Sequence, residues 1–560
     1  MLVKIRAEVT SEKLRGGFYS PTALVATCLD RIDELLAGRE RWRILEPSAG
    51  DGAFIRGLAA RADRITSITA VELVASEGSK VRDLFEAAGL PGRVITSSFV
   101  PWAATQSGEF DAAVGNPPFV RFQFVNEDPA HIALLGERLG VSFRGVSNLW
   151  LPIFLGALSA VADDGAFAFI VPSECFTGIS ARVVREWLLA NSDRLRVDLF
   201  PVGSFPAVLQ EVVVLSGRRT RGETRSRFVL TVSEHHAHHS AREWQHAVDG
   251  RANTWTRYLL EPNQVQALEQ AAALKSVHAL GRLARIEVAT VTGANSFFSV
   301  DDVTLREFGL EEWAAPLLPR IRHAPSIEYT NADHLRARMS GAKTWLLDFS
   351  RERPDPEARP GPSRYLQSGR AAGLHTRFKT RIREPWYRIP GIKPGRLLLS
   401  KRSHRYPRLV LNTAGVATTD TIYRGWMREG FIGKEGALVA AFHNSLTLLS
   451  AEVEGRSFGG GVLELVPSEV ARLLVPLPAR FQENFASLSR FTAADDGDAP
   501  DALVAATNRL LHSAKAGFDP GLIEVWEAAR QALQKRRLAR AGEPDDPRTT
   551  EEAGLELIAV

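Results

Sequence analysis

The segment Gly115-Asn116-Pro117-Pro118-Phe119 constrains the fold of this chain more than any other. It follows an apolar run, Phe110-Asp111-Ala112-Ala113-Val114, that reads as a buried strand, so the loop lies at that strand's carboxyl end. In open α/β sheets this rim is where ligands bind. Consecutive prolines fix φ and remove N–H donors, leaving carbonyls free to face a ligand. The loop thus presents two acceptors, the Asn116 side-chain carbonyl and the Pro117 main-chain carbonyl, beside one flat face, Phe119. That set suits a planar group carrying an amine, such as the exocyclic amine of a nucleobase. A rigid strand-to-helix turn is the plainer reading of the same letters.

Upstream, an apolar strand leads into Glu46-Pro47-Ser48-Ala49-Gly50-Asp51-Gly52 and then an apolar helix start. The glycines permit a tight turn and close backbone approach. The segment lacks G-x-G-x-x-G spacing and a Gly-Lys-Ser/Thr phosphate signature, so it is neither a dinucleotide fingerprint nor a phosphate loop. Glu46 instead suits a cationic or hydroxyl-bearing ligand. The next strand, Ser67–Val71, ends in Glu72, the position from which an acid holds a ribose diol.

In the order Gly16-Gly17-Phe18-Tyr19-Ser20-Pro21, Glu46–Gly50, Asn116–Phe119 and a long C-terminal region, the chain resembles the gamma-class, adenine-N6 DNA methyltransferases of bacterial restriction–modification systems. The resemblance covers about the first 217 residues well and the rest more loosely. It implies S-adenosyl-L-methionine as cofactor and an α/β fold, a seven-stranded doubly wound sheet followed by a mixed α+β target-recognition domain. Ser20 would touch the methionine end, with Tyr19 and Pro21 shaping the pocket. Glu46, Pro47, Ser48, Ala49 and Gly50 would wrap the methionine moiety, and Glu72 would take the ribose hydroxyls. Phe99 would pack on the cofactor adenine, with Pro118 also lining the cofactor pocket. Ser98 stands where the family usually has an Asp that accepts from the cofactor's own amine, which implies rearranged adenine recognition. Asn116, Pro117 and Phe119 would form the catalytic loop, and Phe205 a second wall against a flipped-out base. Phe205 reads equally as a core aromatic at a strand start.

Charge is unevenly spread. From Arg370 to Arg428 there are 14 Lys or Arg against Glu384 and Asp420; the stretch carries +12 in a chain of +4, leaving −8 elsewhere. Aromatics interrupt it (Phe378, Trp386, Tyr387, Tyr406, Tyr423, Trp426), with Pro385, Pro390 and Pro394. Basic, aromatic and proline-punctuated loops are the pattern of a nucleic-acid surface. Arg381, Arg383, Trp386 and Tyr387 are the expected DNA contacts, and duplex DNA the expected partner. A solvated charged face is the bland alternative.

At 560 residues the chain exceeds one core. The expected division is a catalytic domain over 1–230, a recognition domain over 245–485, and a helical segment with a polar tail over 486–560. A polar stretch, Arg218–Ser240, reads as a linker, and its His235-His236-Ala237-His238-His239 as a solvated part of it rather than a metal site. No apolar run reaches the roughly 18 residues of a membrane span, and no signal-peptide core follows Met1-Leu2-Val3-Lys4. Cys28 and Cys175, both in apolar contexts, read as buried thiols of a cytoplasmic protein, and no metal site is expected. The resemblance further implies a monomer, with any cognate endonuclease acting without a stable complex. Cytosine-N4 methylation, RNA guanine or protein glutamine methylation, and a non-catalytic DNA-binding subunit remain open alternatives at this level. Nuclease activity is set aside, because Pro354-Asp355-Pro356-Glu357 has no partner acid and lysine on a plausible strand.

Overall fold

The structure is a computed structural model. It describes residues 20–106, 108–120, 127–144, 148–177, 181–201, 204, 211–220, 228–236, 241–248, 250, 254–350, 353–458, 460–491, 499–513 and 518–539. Tertiary contacts divide the chain into two units, the first reaching Pro262 and the second spanning Asn263–Leu538.

The first unit is built on a nine-stranded sheet. Its strands are β1 (Trp42–Glu46), β2 (Ile65–Glu72), β3 (Gly92–Thr96), β4 (Phe110–Gly115), β5 (Val161–Pro172), β6 (Ser192–Leu199), β7 (Val212–Arg219), β8 (Val229–Glu234) and β9 (Arg242–Ala247), in the spatial order β3-β2-β1-β4-β5-β7-β6-β8-β9. Strands β1 to β5 are mutually parallel, whereas β7 runs antiparallel to both β5 and β6. Helix α1 (Thr22–Leu35) precedes β1, and α2 (Ala53–Leu58), α3 (Ala75–Ala88), α4 (Phe99–Ala103), α5 (Pro129–Leu139) and α6 (Trp150–Ala160) lie along the chain between β1 and β5.

The apolar runs of the strands feed two cores, one on each face. In β5, Ala166, Ala168 and Ile170 join one cluster while Phe167, Phe169 and Val171 join the other; Ile44 and Leu45 of β1 divide in the same way. Alternate residues point to opposite faces, and a parallel sheet covered on both sides needs apolar side chains on each. Helix α6, Trp150-Leu151-Pro152-Ile153-Phe154-Leu155-Gly156, is buried along its whole length. Both cysteines are buried free thiols, as expected.

The expected seven strands are present, and β8 and β9 extend the sheet beyond them. This corrects the proposed boundary at 230–245 and the reading of Arg218–Ser240 as a linker. Leu230 and Val232 lie in the core, and β8 pairs along its length with β6. An ion-pair cluster fixes the same region. Asp198 in β6 receives two hydrogen bonds from the Arg31 guanidinium of α1 (2.6 and 3.0 Å), and the His235 imidazole lies 2.8 Å away. Burial alone would raise the Asp198 carboxyl; bonds from His235 and Arg31 hold it below the usual carboxylate range. His235 also stacks on Phe200 and so is no part of a free histidine tract. Residues 237–240 lie outside the described residues.

The second unit contains a five-stranded sheet of β10 (Ala284–Glu287), β11 (Glu328–Tyr329), β12 (Leu397–Ser400), β13 (Leu409–Asn412) and β14 (Ile422–Met427), ordered β10-β14-β12-β13-β11. Helices α7 (Glu435–Phe442) and α8 (Ser445–Glu454) follow, both apolar and buried. The helices α9 (Ala499–His512) and α10 (Pro520–Leu538) belong to this unit and do not form a separate tail segment. Arg537 of α10 forms a buried ion pair with Glu452 of α8 (2.6 Å), which ties the two helices together. Among the described residues no helix is long and apolar enough to cross a membrane.

Candidate active site

Two loops meet at the rim where β1 and β4 end. A Cβ added to Gly115 would lie 3.2 Å from the Pro47 ring, so the Glu46–Gly50 and Asn116–Phe119 segments touch at that point. The Ser48 hydroxyl donates to the Asn116 main-chain carbonyl (3.3 Å), and the Asn116 side-chain amide donates to the Ser20 hydroxyl (3.1 Å). Asn116 Oδ1 is then buried with no hydrogen-bond partner. A buried acceptor left unpaired is costly unless a ligand completes it. Pro117 is buried and Pro118 half-buried, so the second proline borders the crevice. Phe119 is half-buried and packs against both cores, which anchors the ring while part of it stays accessible. Pro21 caps α1, its carbonyl accepting from the amides of Leu24 and Val25, and so fixes Ser20 beside the loop. Tyr19 and Phe205 lie outside the described residues.

The β1 loop is drawn tight by its neighbours. The Ala49 amide donates to Val71 O (3.0 Å), the Gly50 amide to Glu72 Oε2 (2.8 Å), and Glu72 Oε1 accepts from Val74 N (2.8 Å). Glu72 therefore fixes the loop while each oxygen keeps a further lone pair. Gly52 has φ +79°, and a side chain there would run into Leu84. Glu46 is 1% exposed, and its Oε2 has no hydrogen-bond partner. Burial, with Asp51 and Glu72 adding negative charge, pushes the Glu46 carboxyl well above the usual carboxylate range. An acid so placed favours a cation that would bring it back to its charged form.

The structure adds one residue that the sequence did not reveal. Ser98 donates to the Glu127 carboxylate (2.6 Å), whose side chain is only 6% exposed. A carboxylate is thus present at the end of β3, reached from a segment distant in sequence. Lone acids in polar stretches carry no local signal, so only the folded chain identifies it. Phe99 is corrected: its ring is buried against Trp102 (centroids 5.4 Å apart) and is occupied by the core instead of offering an open stacking face.

The expected DNA residues fare unevenly. Trp386 and Tyr387 are buried in the core of the second unit, against Phe297 and Phe349 respectively, so rings assigned to bases are structural. Tyr406 and Tyr423 are buried too. Arg383 is committed to the main chain, donating to Val291 O (2.7 Å) and Thr292 O (2.6 Å). Arg408 and Arg428 also bond carbonyls, and Arg402 and Arg424 pair with Glu464 and Glu287. Arg381 is exposed. The basic stretch is therefore partly internal bracing and partly free surface.

The strand order and the reversed β7 are those of a methyltransferase fold, and the family match implies S-adenosyl-L-methionine as cofactor. The comparisons support a DNA methyltransferase of a bacterial restriction–modification system. Residues 78–202 match the family of the Eco57I restriction-modification methylase, and residues 252–511 match the C-terminal domain of the Type II methyltransferase M.Eco57I. Type II methyltransferase M.XamI of Xanthomonas campestris pv. amaranthicola is 23% identical over 82% of this chain and 85% of its own length. Type II methyltransferase M.AccI of Acinetobacter calcoaceticus is 19% identical over 78% and 81%. Among solved structures, the type IIG restriction endonuclease BpuSI aligns at a TM-score of 0.40 and 14% identity, covering 94% of this chain and 66% of that one. The DrdV–DNA complex aligns at 0.46 and 11%, covering 87% and 58%. This chain spans less than two thirds of both, and the likenesses are too distant to carry a functional conclusion.

Proposed function

We propose that this chain transfers a methyl group to the N6 amine of an adenine flipped out of duplex DNA, as the modification enzyme of a restriction–modification system. The observation that carries the reading is Asn116 Oδ1, a buried acceptor without a partner in a proline-stiffened loop at the strand rim. An adenine amine is a poor nucleophile because its lone pair is conjugated into the ring. Asn116 Oδ1 and the Pro117 carbonyl, accepting from its two N–H bonds, favour a pyramidal nitrogen with the lone pair free. This is stabilisation by fixed dipoles of charge that develops only in the transition state. The amine's proton is lost after attack, so no general base is required among the residues at the rim. Phe119 supplies a face for the extruded base and offsets part of the few kcal/mol that unstacking costs.

S-adenosyl-L-methionine supplies an electrophilic methyl on a sulfonium. The residues present suit it: Glu46 for its cationic end, Gly50 and Glu72 for the close-packed loop and the ribose diol, and the Glu127 carboxylate with Ser98 for the adenine amine. Ser98 alone was the expected acceptor; a hydroxyl that already donates to Glu127 leaves the carboxylate as the stronger one.

Cytosine N4 offers the same two N–H bonds, so the base is tested directly. Expression in a methylation-free host followed by single-molecule sequencing should give N6-methyladenine within one sequence motif, and none with Asn116→Ala. N4-methylcytosine at the motif would overturn the adenine reading. Protein or RNA methylation with unmodified DNA would overturn the substrate class.

A further inference from the structure

The second unit carries two large apolar side chains in water on one short turn. Phe378 is 63% exposed and Ile382 69% exposed, four residues apart along the helical turn Phe378–Arg381 and its cap. Positions so spaced lie on the same side of a helical turn. The cations of the segment surround them: Lys379 Nζ lies 5.4 Å and Arg381 Cζ 5.5 Å from the Phe378 ring centroid, and Arg377 is exposed beside them. No acid occurs between Arg377 and Arg383.

The turn is held firmly although its tip is bare. Thr380 is fully buried, its hydroxyl bonded to the Leu374 and Arg377 carbonyls. Arg383 clamps the Val291 and Thr292 carbonyls from the other end. Between them Gly293, at φ +81°, lets the main chain lie against Lys379: a Cβ there would be 2.9 Å from the Lys379 Cβ. The exposed pair is therefore presented by a braced platform, and a braced apolar tip loses little freedom on binding.

Charge selects the partner. The cores of protein interfaces are depleted of charged residues, whereas here every charged neighbour within the segment is a cation, which fits an acidic polymer. On duplex DNA the phosphates satisfy the cations, but an apolar side chain gains nothing from them. The extended apolar surface a duplex can offer lies within its base stack, where inserted Phe and Ile side chains part neighbouring steps.

We propose that Phe378 and Ile382 form a wedge that enters the base stack of the substrate duplex, with Arg377, Lys379 and Arg381 gripping the phosphates on either side. This rests on the DNA methyltransferase reading and assigns the unstacking work of base extrusion to the second unit. The test is single-turnover methylation by the full chain, comparing wild type with Phe378→Ala/Ile382→Ala on the motif as a matched duplex and as a duplex mismatched opposite the target. A mismatched base is already partly unstacked and costs less to extrude. The double variant should lose about tenfold or more on the matched duplex and regain most of that on the mismatched one. Its cofactor affinity by calorimetry and its melting temperature should match wild type, since both side chains are exposed. A double variant that equals wild type on the matched duplex, or one whose loss the mismatch does not relieve, would overturn the wedge. A wild-type protein that leaves duplex DNA unmethylated would remove the parent reading instead, so the two failures are told apart.

Discussion

Asn116 holds its position through two serines, one on each side: Ser48 takes its carbonyl and Ser20 its amide. What remains free is Oδ1, one of the two acceptors that the proposed chemistry uses. Asn116→Ala should lower methyl transfer by about a hundredfold or more while cofactor affinity stays near wild type, as measured by single-turnover kinetics and calorimetry. Glu46 poses a trade-off of fold against function. Its raised pKa means that the fold favours the neutral acid, so above the ordinary carboxylate pKa its burial costs stability. Binding a cation favours the ionised form, so cofactor affinity should rise with pH until the raised pKa is passed, with a proton released on binding. Glu46→Gln should raise the melting temperature of the free protein at neutral pH, weaken cofactor binding and flatten that pH dependence. Calorimetry in buffers of different ionisation enthalpy reads the released proton directly. Glu127→Gln should weaken cofactor binding more than Ser98→Ala does, and an analogue with a carbonyl in place of the adenine amine should lose its disadvantage in that variant.

Among the elements, the β1–α2 loop and the 377–383 turn show how backbone and side chain share the work. Gly52→Ala places a Cβ at positive φ and against Leu84, which should cost about 1–3 kcal/mol in denaturant unfolding and loosen the cofactor loop. In the basic turn, adjacent arginines have separate duties. Arg381→Gln should weaken duplex binding and reduce the salt slope by up to about 0.9 log units per lost phosphate contact, with no change in melting temperature. Arg383→Met should lower the melting temperature, by about 2–4 °C for each kcal/mol lost, because two carbonyls lose their donor. Composition assigned both arginines to DNA; only their hydrogen bonds separate them.

For the whole molecule, the consequence concerns where the first unit stops. The β8–β9 hairpin adds Leu230 and Val232 to a core, and the residue just after β8, His235, completes the cluster on Asp198. A fragment ending at 262 should keep cofactor affinity, whereas one ending at 230 should expose β6, lose the His235 bond and aggregate or melt early. Thermal scans and cofactor titration of the two fragments check this. Likewise α9 and α10 belong with the second unit through contacts such as Arg537 with Glu452, so truncation before 520 should destabilise that unit although the removed residues look like a tail.

The sequence by itself determined the parts whose physics is local. Prolines and glycines impose backbone shape on their own residues, so the loops at Glu46–Gly50 and Asn116–Phe119 were legible as rim loops before any fold was known. The apolar run at Phe110–Val114 likewise read as a buried strand. The tertiary structure decided everything that depends on a partner far along the chain. Glu127 became a candidate site residue because folding brings it to Ser98, 29 positions away. Trp386 and Tyr387 became core, while Phe378 stayed in water, because burial is a property of what packs on a ring and not of the ring. Arg31 and Asp198 are 167 positions apart and His235 lies 37 further on, yet the three meet as one cluster, and a stretch polar enough to read as a linker proved to be the edge of the sheet.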